Sequence, residues 1–220
     1  MISLIIEITY YSVLFLLALK SVFDFKKYGF AGLKFLNVYI IVTACLEIYS
    51  YVLLNIDRSI STGILYNFYC LFSVVFFYFF YRKIFEKLRK RILDIIFTAS
   101  LFIYFGFTKF YKTDFDITIG VLISFFYIVI SLLWFYQKIM LFDENKITSD
   151  PVFWISTAIL MWSCFFVFRS VPMFLFNKID PEFLKLIRVN QNIINIIMYA
   201  LLYVGMKKYE NKIYLNPNHE

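Results

Sequence analysis

Glu47 in ACLEIYSYVLL and Arg169 in FVFRSVPMFLF are charges set inside apolar runs. Seven residues, all but Ser50 apolar, separate Glu47 from the polar turn that follows. At 1.5 Å of rise per residue the carboxylate lies roughly 10 Å from the end of its helix, out of easy reach of water. Arg169 is at a similar depth by the same count, where its long side chain can snorkel and Pro172 can bend the helix end. A lone charge in such a place carries an uncompensated desolvation cost, whereas opposite charges offset part of each other's. The expectation is that Arg169 neutralises Glu47, directly or through neighbouring amides.

Those amides stand in LIRVNQNIINIIMY, where Arg188, Gln191, Asn192 and Asn195 recur at three- and four-residue spacing. On a helix they form one polar stripe, which must face other helices rather than lipid. Glu7 and Asn67 fall at the same end of their own apolar blocks. Two chemistries fit this intramembrane polar cluster: interhelical hydrogen bonding with charge pairing, or a cavity that binds a solute.

The chain has a single histidine, His219, near its end. A His-ligated haem, a histidine-rich metal site and a Ser-His-Asp triad therefore lack their central residue. No nucleophile, base and metal set is visible, so neither an enzyme nor a cofactor is expected. Cys45, Cys70 and Cys164 show no metal-ligand or redox spacing and read as small packing residues. The 47 Phe and Tyr residues accompany abundant Ile, Lys and Asn, and read as compositional bias in a lipid-facing chain rather than as an aromatic cage.

The elements that position these residues follow from composition. Of 220 residues 62% are hydrophobic and 17% charged, against roughly 45–50% and 25% in soluble domains. The apolar residues fall into blocks of the length that spans a bilayer. Their limits are 2–23, 34–54, 62–81, 92–109, 117–136, 152–176 and 186–206. The expected fold is an all-α polytopic bundle of seven transmembrane helices over 1–208, with a short polar tail at 209–220. Block one has no basic n-region or small-residue cleavage site, and Glu7 and Lys20 bracket it, so it reads as a retained span.

If the blocks alternate, one side gathers fifteen Lys and Arg residues and the other has only Arg58, Lys109, Lys112, Lys178 and Lys185. The positive-inside rule then puts the N-terminus outside and the C-terminus in the cytoplasm. The formal charge of +7 is explained by the loops, without a nucleic-acid partner. The most basic connection, YRKIFEKLRKRILD, carries Arg82, Lys83, Lys87, Arg89, Lys90 and Arg91. Its apolar residues keep helical spacing, which predicts a continuous helix at the membrane surface, anchored on anionic lipid or docking a cytosolic or membrane partner. In TSDPVFW, Ser149 or Asp150 is placed to cap a helix that Pro151 opens. Asp143, Glu144 and Asp150 match no calcium-loop spacing and read as a solvated turn.

The segments DPVFWISTAIL from Asp150 and NIINIIMYALLYVGM from Asn192, with Glu47 in the second block, resemble a family of small seven-helix bacterial membrane proteins often encoded near sensor kinases. The resemblance implies a multi-pass protein of the bacterial inner membrane and, by association, a sensory or regulatory module. A small-solute transporter or channel and a structural subunit of a larger assembly are the alternatives that the residues leave open.

Overall fold

The computed structural model describes residues 2–28, 35–57, 61–141, 146–176 and 181–215. Among them are seven α-helices: α1 (Ile2–Tyr28), α2 (Phe35–Ile56), α3 (Gly63–Ile84), α4 (Lys87–Phe107), α5 (Ile117–Met140), α6 (Pro151–Phe176) and α7 (Pro181–Leu215). Each expected block overlaps one helix. Six of the helices are long and apolar enough to cross a membrane, and α4 is the exception. Its first turns hold Lys87, Arg89, Lys90, Arg91 and Asp94.

Packing separates α4 from the rest in a second way. α1 lies against α2 and α7, α2 against α3, α3 against α5, α5 against α6, and α6 against α7. These six helices close a ring, and α4 packs on its outside against α3 and α5. The core is strongly aromatic. Tyr39, Phe76, Phe77, Phe80 and Tyr81 are buried, and Phe77 meets Tyr39 and Tyr127 edge-on at 5.0 Å each. Such edge-to-face contacts exploit the ring quadrupoles in addition to buried area.

Two connections of α4 are stitched to the ring. At its start, the continuous helix expected through YRKIFEKLRKRILD is interrupted at Phe85 and Glu86. Phe85 is extended and turned into the core, 2% exposed. Gln137 of α5 compensates for the break: its Nε2 donates to Ile84 O at 3.4 Å and its Oε1 accepts from Glu86 N at 3.3 Å. The free ends of both helices thereby find partners.

At the other end of α4, the turn before α5 lies against the first residue of α3. A Cβ on Gly63 would stand 2.1 Å from Phe115 N and 2.4 Å from Asp114 C, so only glycine admits that approach. Ile64 N donates to Thr113 O at 3.0 Å and Ser61 Oγ to the same oxygen at 2.7 Å. The helix start predicted at Pro151 is present. Asp150 Oδ1 accepts from Val152 N at 3.0 Å, and a 3-10 turn, Ile147–Ser149, precedes it. The tail expected from 209 begins inside α7, which continues to Leu215; His219 lies outside the described residues, as do Asp143 and Glu144.

Candidate functional site: a cavity inside the helix ring

All six ring helices contribute to one cavity of about 270 Å³, and α4 contributes nothing to it. Glu47 comes from α2, Arg169 from α6, and Gln191 and Asn195 from α7. The depth count that paired Glu47 with Arg169 in the sequence thus brings both to one place, at the end of the ring where α1 begins. A wider hollow of about 450 Å³ adjoins the cavity there, sharing Tyr10, Glu47, Arg169, Gln191 and Asn195 with it. Glu7, Arg188 and Asn192 line only this outer hollow.

The expected direct neutralisation is not what the structure holds. No ion pair joins Glu47 to Arg169 among the described residues. The Arg169 guanidinium lies over the Phe166 ring, 5.0 Å from its centroid, and its buried Nε has no hydrogen-bond partner. Glu47 instead has the Tyr10 and Tyr66 side chains as its polar neighbours. The two charges are held on different walls, and the amides of α7 lie on the wall beside them. Asn195 Oδ1 accepts from Gln191 Nε2 at 2.9 Å and from Trp162 Nε1 at 2.9 Å, which fixes the stripe against α6.

Asn67 does not belong to the cavity. It is fully buried, and its side chain is spent on the turn before α5. Nδ2 donates to Asp114 O at 3.1 Å and Phe110 O at 3.4 Å, and Oδ1 accepts from Asp116 N at 3.0 Å. Asp116 in turn caps α5, accepting from Thr118 N at 2.9 Å and from Lys109 N at 2.7 Å. Partial burial alone would push this carboxyl up, but the hydrogen bonds from Lys109 and Thr118 outweigh it and hold Asp116 below its usual range.

The walls contain residues that the sequence did not mark. Six tyrosines line the cavity: Tyr10, Tyr39, Tyr66, Tyr69, Tyr127 and Tyr199. Tyr69 is bonded to Thr43 at 2.7 Å. Tyr127 Oη and Ser73 Oγ, both buried, are polar neighbours of each other, with Tyr39 also beside Tyr127, but neither makes a well-formed hydrogen bond. Trp162 and Phe166 stack at 5.2 Å on the α6 side, and Gly120 leaves room for them, since a Cβ there would lie 2.4 Å from Phe166 Cζ. Cys70 is buried in the same wall. Buried polar groups normally find partners; of the six buried side-chain atoms without one among the described residues, those of Ser73, Tyr127 and Arg169 belong to residues lining this cavity, and those of Ser50, Arg89 and Ser131 do not.

At the opposite end of the ring several polar groups find partners, although Ser131 Oγ and Arg89 Nε do not. Lys20 of α1 bonds Asp24 at 2.6 Å and also bonds Glu210 of α7. Tyr81 and Ser156 share a hydrogen bond at 2.7 Å, and Lys138 pairs with Asp150 at 3.1 Å. The basic residues of the α3–α4 connection divide in two. Arg82 pairs with Asp94 at 3.1 Å, Arg89 with Glu86 at 2.8 Å, and Lys83 sits 5.2 Å from the Phe35 ring centroid. Lys87 and Arg91 are exposed, with Lys90 half-buried.

Six long apolar helices closed around a cavity have the make-up of a multi-pass membrane protein. No protein family, curated protein or solved structure matches the chain.

Proposed function

We propose that the protein is a membrane-embedded ligand-binding module of a sensory or regulatory system, not a catalyst, with its cavity open to the extracytoplasmic side. The observation that carries this reading is the cavity whose wall leaves Ser73, Tyr127 and Arg169 with unpartnered polar atoms. Concave sites with a few convergent polar groups in a mainly apolar lining are where small ligands bind. Towards the other end of the ring Phe77, Tyr81, Ile130 and Trp134 are all at most 2% exposed. A pocket closed below by packed side chains suits a receptor better than a pore.

In this reading α4 is a seventh span, with its charged first turns at the cytoplasmic surface. Support comes from its two connections, since α3 must run to the end where Gln137 bridges the break and α5 restarts beside Gly63 at the end where α3 began. Orientation follows the fifteen-to-five division of basic residues. The resemblance to proteins encoded near sensor kinases motivates the sensory role, and Lys87 and Arg91 are the side chains free to meet anionic lipid or a partner. Helix α7 offers the route from ligand to partner, because Gln191 and Asn195 of the cavity and Glu210 of the Lys20 contact lie on one unbroken helix.

The test reconstitutes the full chain alone in liposomes. A receptor binds solute without carrying it across, and a cysteine placed at exposed Asn211 reacts with an impermeant reagent only from the cytoplasmic face. Accumulation of the bound solute inside the vesicles would establish the transporter alternative in its place.

A further inference from the structure

We infer that the ligand is a small zwitterion, carrying an ammonium group and a carboxylate on an apolar body, as a free α-amino acid does. This rests on the cavity being a ligand site and names the chemical class that fits it. The carrying observation is that Glu47 and Arg169 face one cavity from opposite charge types without an ion pair between them. A structural lock would bring the two into contact, because each charge alone bears its desolvation cost. Held apart, they offer a cation site and an anion site within one space.

A zwitterion satisfies both sites and adds no net charge to a poorly screened interior. A simple organic cation would suit Glu47 but would sit beside Arg169, with Arg188 in the adjoining hollow. A simple anion would suit the arginines but would meet Glu47, with Glu7 in the same hollow. The hollow's lining is itself balanced: Glu7 and Glu47 against Arg169 and Arg188. Entry therefore favours neither sign.

The remaining walls agree with this class. Tyr10 and Tyr66 beside Glu47 add hydroxyl oxygens and aromatic side chains, both suited to an ammonium, to that part of the lining. Arg169, with Gln191 on the facing helix, offers donors to a carboxylate. The stacked Trp162 and Phe166, with Ile123 and Met198, accept an apolar body. At about 30 Å³ for each water in the liquid, 270 Å³ corresponds to about nine waters. A free amino acid fits within that space.

The experiment compares three probes that share one body: L-phenylalanine, 2-phenylethylamine and 3-phenylpropionate, with glycine and L-leucine as smaller zwitterions. Thermal stability of the purified full chain in lipid nanodiscs is followed as each is titrated. L-phenylalanine or L-leucine should raise the midpoint in a saturable way, with either single-charge analogue at least about tenfold weaker. Glu47→Gln should remove discrimination against 3-phenylpropionate, and Arg169→Gln should remove it against 2-phenylethylamine. The wild-type comparison stands by itself if a variant fails to fold. Amine binding as tight as the zwitterion's would make this an organic-cation site, acid binding as tight would make it an anion site, and a flat response to all three zwitterions would overturn the inference. Zwitterion binding accompanied by flux would leave the ligand class standing and remove the receptor reading; binding without flux supports both.

Discussion

The two connections of α4 and the cavity wall use the same residue types to opposite ends. At the connections, Asn67, Asp116 and Gln137 spend their side-chain atoms on backbone groups that would otherwise lack partners. In the cavity, Ser73, Tyr127 and Arg169 keep polar atoms unbonded although they are as deeply set. A polar residue inside a helical membrane protein is therefore not a functional signal in itself. What distinguishes Asn67, Asp116 and Gln137 from Ser73, Tyr127 and Arg169 is that the bonding capacity of the first three is consumed within the chain.

Gly63→Ala should break the first region most severely. Its Cβ would meet backbone atoms of Phe115 and Asp114, which cannot swing aside as a side-chain tip can. The expected loss is about 3 kcal/mol, the upper end of the overpacking range, read from unfolding in detergent. Stability close to that of the wild type would mean that the turn shifts freely and clamps nothing.

Gln137→Leu should come next. It leaves the Ile84 carbonyl and the Glu86 amide without their side-chain partner at the helix break. A cost of about 2 kcal/mol is expected, with faster hydrogen exchange at Glu86. If exchange there stayed slow, another group would be serving the break.

Asp116 supplies a pH test of the same region. Its folded carboxyl titrates below the ordinary value of 3.8, so the bound, ionised form contributes stability that is complete above about that pH. The contribution is lost as pH falls through the lower folded value. Asp116→Asn should lower the melting temperature at neutral pH by a few degrees and reduce the additional fall on acidification below about 4. An unchanged acid limb would assign that fall to other carboxylates.

The smallest effect is expected in the second region. Tyr127→Phe removes a hydroxyl that makes no well-formed hydrogen bond, so stability of the ligand-free protein should change by less than about 0.5 kcal/mol, or rise. A loss as large as that of Gln137→Leu would show that the hydroxyl is bonded and would erase the contrast between the regions.

The sequence made the helices legible because hydropathy in blocks of spanning length is a local property, and each of the seven blocks overlaps one helix. Depth within a block is also local, and it correctly brought Glu47 and Arg169 to one end of the bundle. The break at Phe85 was not legible, because helical spacing runs straight through it and the compensating Gln137 lies about fifty residues away. Asn67 was misassigned for the same reason, since its partners come from a turn more than forty residues later. The tyrosine lining was hidden by abundance. With 18 tyrosines in the chain, only the packing of six helices selects the six that meet in the cavity.

The bond between Lys20 and Glu210 has a consequence in time. The partners are 190 residues apart, on the first helix and the last. At ribosomal speeds of about 5–20 residues per second, α1 exists for roughly ten to forty seconds before Glu210 is made. During that interval Lys20 has Asp24, one turn away on its own helix, to hold its charge. The short bond keeps the first helix ready in the bilayer, and the long one closes the ring only when the last helix arrives.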